Sequence, residues 1–126
     1  ALIKLVISTD NAVLRWEAAG HIAELRGDRK IDELIEILNK GDEKTTWPVV
    51  EILGYLRSPD ATQPLVGLLE HPDWWIRAAA ARALGIIGAH YAIDELKRYR
   101  SDNSEHVVYR VNEAISSLEN RKLQRS

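Results

Sequence analysis

The sequence predicts an all-α protein built from stacked helix pairs, and three observations carry that reading. Apolar residues recur at a spacing of 31, as in Ala18, Val49, Ala80 and Val111, or in Ile22, Leu53, Leu84 and Ile115. Residues suited to capping a helix, Asn11, Asp42, Asp73 and Ser104, recur at the same spacing. No segment alternates apolar and polar side chains as a half-buried strand does.

The long helices come first. Arg15, Thr46, Arg77 and Val108 mark equivalent positions; Leu14, Thr45, Ile76 and Val107 precede them, and Leu25, Leu56, Ile87 and Leu118 lie ten residues beyond. With the residues three and seven beyond each marker, spacings of four, four and three hold one side of a helix. The capping residues stand four before each marker, where a side-chain oxygen accepts a hydrogen bond from an orphan first-turn amide. Pro48 would clash inside a helix, so the second copy is expected to begin late, near Thr45 or Thr46, with Pro48 in its first turn. Ala78 to Ala81 and Ala83 are small enough to let helices pack closely side by side.

Between the long helices lie shorter ones: "KIDELIEILNK" from Lys30, "TQPLVGLLE" from Thr62 and "AIDELKRYR" from Ala92. Leu34, Leu65 and Leu96 share one phase, and Ile37, Leu68 and Tyr99 another. One more step back reaches Ile3 and Val6, so "ALIKLVIS" reads as the tail of a further short helix rather than a targeting segment. The expected organisation is one domain over 1–126: a half repeat at 1–9, repeats at 10–41, 42–72 and 73–103, and a terminal helix at 104–126. Each pair is too small to bury its apolar face by itself, so neighbours stack around a continuous core.

An apolar fraction of 45% with 29% charged residues suits a soluble globular chain. A net charge of -2 and a pI near 6.1 supply no global field for a polyanion, so nucleic acid is not the expected partner. The absence of cysteine excludes disulfides, thiolate zinc sites and cysteine nucleophiles, and fits a cytoplasmic setting. Arg77 and Arg82 interrupt the most apolar run, so no membrane span is expected.

The stretch "HPDWWIRAAAARALGIIGAHYAIDEL" resembles the short HEAT-like repeat also called the bilin-lyase repeat, with its Asp, its apolar-Arg pair, its Ala-rich helix ending Leu-Gly-x-Ile-Gly and its Ala-Ile-x-x-Leu following helix. The resemblance implies an α-solenoid, a right-handed α-α superhelix of HEAT-like helix pairs, with the Arg-bearing helices on the concave side. It also implies that Arg15 and Arg77 pair with the acidic cap of an adjacent unit. Members of the family mostly act as interaction scaffolds; some are subunits of enzymes attaching bilins to phycobiliproteins, one branch hydroxylates deoxyhypusine at a di-iron site, and a distant branch removes alkylated bases from DNA. The di-iron branch needs His-Glu pairs, whereas His21, His71, His90 and His106 are followed by Ile22, Pro72, Tyr91 and Val107.

The residue after each marker points about 160° away from the core centre at 100° per residue. It reads Trp16, Trp47, Ala78 and Tyr109, and the helix heads flanking that face carry Ala12 and Val13, Glu43 and Lys44, Trp74 and Trp75, and Glu105 and His106. Trp16, Trp47, Trp74, Trp75, Tyr109 and Arg82 are therefore the expected partner-binding residues, with Gly20, Ala23, Gly54, Gly85 and Ser116 leaving shallow spaces between rings and Glu17, Glu51 and Glu113 adding mixed charge. The competing structural reading has Trp16 or Trp47 covering a neighbouring helix and Trp74 folding toward Leu69. His21 reads as a packed or edge residue, His71 and His90 as solvated turn residues, and the basic tail with Arg121, Lys122 and Arg125 as a solvated cap. No catalytic residue, metal ligand or cofactor site is expected.

These readings favour a non-enzymatic scaffold binding a protein or peptide segment, over a bilin-lyase-type subunit receiving a chromophore or its carrier, and over a DNA-repair protein. Self-association through an exposed amino-terminal half repeat is a further expectation.

Overall fold

The computed structural model describes residues 28–40 and 43–125; side-chain surroundings are described for residues 31–40 and 45–120. The expectations on Trp16, His21, Ile3, Val6, Arg15 and the first two capping residues, and the side chains of the basic tail, lie outside these residues. Among the described residues six helices follow in order: α1 (Asp28–Lys40), α2 (Glu43–Leu56), α3 (Thr62–Gly67), α4 (Trp74–Ile87), α5 (Ile93–Lys97) and α6 (Glu105–Arg125). There is no strand among the described residues, and the pairing of long and short helices is that of an all-α solenoid.

The 31-residue period is the period of burial. Leu34, Leu65 and Leu96, one from each short helix, are fully buried, as are Val49, Ala80 and Val111 and also Leu53, Leu84 and Ile115 from the long ones. Together they form one core that runs through the stack. In α1, the polar residues Asp32, Glu33 and Glu36 take the exposed side while Leu34 and Leu38 point inward, which is what makes so charged a segment a stable packed helix.

Two of the short helices, α3 and α5, are shorter than their sequence period suggests. α3 is flanked by 3-10 turns at Pro59–Ala61 and Leu68–Glu70, and α5 follows another at His90–Ala92. Gly67 weakens the continuation of α3. Beyond α5, the amides of Arg98, Tyr99 and Arg100 bond to carbonyls three residues back, tightening the last turn.

α2 begins at Glu43 rather than at Thr45 or Thr46, and Pro48 lies inside it. One amide is lost near the helix start, and the burial of Pro48, Val49 and Val50 against the core offsets that loss. Asp73 does occupy the cap of α4 in extended backbone, but its side chain makes no capping bond. Its amide donates to His71 Nδ1 at 3.0 Å instead, so His71 is a half-buried turn residue rather than a solvated one. Ser104 likewise precedes α6, its amide donating to Asp102 Oδ1 at 2.9 Å. His90 is also half-buried, with both ring nitrogens shielded and unpartnered among the described residues.

α2 and α6 flank α4, and two glycines set the approach. A Cβ on Gly54 would stand 3.0 Å from Ala83 Cβ, and one on Gly85 would stand 3.0 Å from both Cα and Cβ of Ala114. These are the same contact one repeat apart. Both glycines are buried where neighbouring backbones meet, and each still lines a surface hollow, Gly54 the one among the rings and Gly85 the one beside it. Because Trp74 also meets His106 at the heads of α4 and α6, contacts advance in the same direction along both, and these helices run parallel.

Candidate functional site: an aromatic groove across three helices

The parallel helices α2, α4 and α6 line a groove of about 510 Å³. Trp47, Glu51 and Tyr55 enter from α2 at spacings of four, one face of a helix. Trp74, Trp75, Arg82 and Ile86 enter from α4, and Glu105, His106, Tyr109 and Arg110 from α6. Every expected site residue within the described part is therefore in one place.

The rings are open to solvent to differing degrees: Trp47 is 36% exposed, Trp74 43%, Trp75 44% and Tyr109 62%. Trp47 is the least exposed of the four, and the α4 rings are slightly more open. Ala78, expected to face outward, is 9% exposed and lines the groove between taller side chains.

Ring contacts order the central part. Trp74 and Trp75 meet edge to face, with centroids 5.9 Å apart, and Trp74 stacks on His106 at 4.8 Å with 21° between planes. Trp74 therefore reaches forward to the next repeat. At the far edge, Arg110 holds Glu113 at 3.0 Å and lies 5.5 Å from the centre of the Tyr109 ring.

A fixed ion pair underlies this arrangement. Arg77 Nε and Nη2 donate to the two carboxylate oxygens of Asp102 at 3.0 and 3.1 Å, while Nη1 donates to the carbonyls of His71 and Pro72 at 2.9 and 3.0 Å. The fork ties the turn before α4 to the turn before α6. The acid lies two residues before the cap position rather than at it. Burial by itself would raise the Asp102 carboxyl, but the Arg77 hydrogen bonds and charge, with the Ser104 amide, outweigh it and hold the group below the usual carboxylate range.

Tyr55 and Arg110 were missed as groove residues by sequence reasoning, whereas His106 had its place at a helix head flanking the aromatic face. Tyr55 was recoverable, because it stands two turns beyond Trp47 on the same face; Arg110 enters through the spacing between helices, which no local pattern reports.

The sequence profile of HEAT repeats matches residues 31–118. The chain belongs to the HEAT-repeat family. Among curated proteins, none matches it by sequence. Among solved structures, this HEAT-repeat chain is similar to human deoxyhypusine hydroxylase in complex with glycerol, with a TM-score of 0.72, 21% identity, and coverage of 94% of this chain and 42% of that one. The chain thus spans well under half of that protein, and the likeness is one of fold. Among the described residues, no three His, Asp or Glu side chains are grouped as a metal site would need, and no helix is long and apolar enough to cross a membrane.

Proposed function

We propose that this HEAT-repeat chain is a binding scaffold that docks a protein segment in the groove of α2, α4 and α6, without chemistry of its own. The observation that supports this reading most directly is the gathering of three partly exposed tryptophans and two exposed tyrosines, from three separate helices, around a single groove. Contiguous exposed apolar surface usually marks a contact. Tryptophan, tyrosine and arginine are also the residues that most often dominate binding energy, each indole offering roughly 150–250 Å².

The test is a comparison of the intact chain with a Trp47→Ala, Trp74→Ala, Trp75→Ala variant of matched fold, checked by circular dichroism. A partner retained by the intact chain is then purified and titrated against both, following tryptophan fluorescence. The reading expects the variant to lose at least tenfold in affinity, since each hot-spot ring is worth about 2 kcal/mol or more. Equal affinity contradicts it.

A second reading, a chromophore-binding subunit of the bilin-lyase type, draws on the groove's volume, which falls within the roughly 300–1,000 Å³ of small-molecule sites. A visible-absorbance titration with a bilin that leaves the band unshifted would remove it.

A further inference from the structure

Beside the aromatic groove lies a second, shallower hollow of about 280 Å³, lined by Arg57, Arg82, Gly85, Ile86, Glu113 and Ser117 among others. The two hollows share Arg82 and Ile86, so they form one continuous surface. Of the arginines lining them, Arg110 holds the Glu113 carboxylate at 3.0 Å, whereas Arg57 and Arg82 are exposed and make no ion pair among the described residues. Glu113, the acid lining the second hollow, is already engaged by Arg110. In the groove, Glu51 and Glu105 stand on the flanking helices.

Arg57 adds an independent oddity. It holds a left-handed backbone with φ 54, at the position equivalent to Gly88, which has φ 84. Glycine adopts that conformation without penalty and arginine does not. The residue that ends α2 is thus a strained cation where the next repeat uses the unstrained solution.

We infer that the segment docked in the groove is acidic: an apolar side chain seated on Trp75 is followed, about three residues along, by a carboxylate held between Arg82 and Arg57. This rests on the docking reading above and specifies its partner. The spacing comes from the helix. Trp75 and Arg82 are two turns apart on α4, about 10 Å along its axis, and an extended chain covers that distance in roughly three residues. A guanidinium with no partner among the described residues offers a carboxylate two parallel hydrogen bonds without first breaking another pair.

The experiment is a selection of random twelve-residue peptides displayed on phage against three baits: the intact chain, the Arg57→Gln, Arg82→Gln variant, and the Trp74→Ala, Trp75→Ala variant. All four substituted side chains are partly or largely solvent-facing, and melting curves confirm that the baits are folded. The best binder and its Glu-to-Gln or Asp-to-Asn twin are then titrated against each bait. The inference expects peptides with an apolar residue and an acid three positions apart. It also expects a loss of about tenfold on either the acid swap or the arginine swap, with little further loss when the two are combined. Apolar peptides indifferent to the acid overturn the inference and leave groove docking intact. Absence of any peptide that depends on Trp74 and Trp75 overturns both. Tighter, Arg82-dependent binding of a phosphate-bearing oligonucleotide, steeply weakened by salt, overturns it in favour of a nucleic-acid partner.

Discussion

Arg77 on α4 and Asp102 in the turn before α6 form a two-bonded, largely buried ion pair, at 3.0 and 3.1 Å. The same guanidinium holds two carbonyls of its own preceding turn, so one side chain fixes the heads of two adjacent repeats. Replacing Asp102 by Asn leaves Arg77 without its counter-charge and should cost roughly 2–4 kcal/mol in urea unfolding at neutral pH.

The same pair sets a pH dependence. The Asp102 carboxyl titrates below its ordinary value of 3.8 in the folded chain, so its contribution is complete above that value and is lost as the pH falls through the lower, folded value. Acidification below about pH 4 should therefore destabilise the native protein more than the Asp102→Asn variant. Parallel slopes for the two would show that the pair carries no such linkage.

Gly85 and Gly67 predict opposite outcomes for one substitution. At Gly85 an added Cβ meets the backbone and side chain of Ala114 at 3.0 Å, whereas at Gly67 it meets nothing within 4 Å. Gly85→Ala should destabilise by about 1–3 kcal/mol by pushing α4 from α6, and Gly67→Ala should stabilise by about 0.5–1 kcal/mol through helix propensity. Paired thermal melts decide the matter. Leu84→Ala, in the fully buried core, should cost about 2–5 kcal/mol in the same assay.

Most of the fold was legible because burial follows a period that the sequence repeats openly: Leu34, Leu65 and Leu96 are interchangeable in pattern and in place. What local pattern could not supply were quantities set between helices. Asp102 as the acid that Arg77 holds, the stacking of Trp74 on His106, and the burial of Gly54 and Gly85 all depend on how far one repeat is rotated from the next. Pro48 misled for a different reason: its local cost is real, but the burial of its neighbours outweighs one lost hydrogen bond near the helix start. The groove was legible in part, since Trp47, Trp74, Trp75, Arg82 and Tyr109 follow from helix phase and His106 from its place at a helix head, while Arg110 does not.

Arg57 couples stability to binding. Its left-handed backbone disfavours any side chain, so Arg57→Gly should raise stability by about 1 kcal/mol while weakening an acidic partner. A variant both less stable and equally tight in binding would remove Arg57 from the account.

The most direct test of the central claim is nuclear magnetic resonance of the isotope-labelled chain during titration with a bound peptide or protein segment. The account predicts that the indole N–H signals of Trp47, Trp74 and Trp75 and the amides around Tyr55, Arg82 and Tyr109 shift first and furthest. Shifts confined to α1, α3 and α5, with those indole signals unmoved, would contradict it.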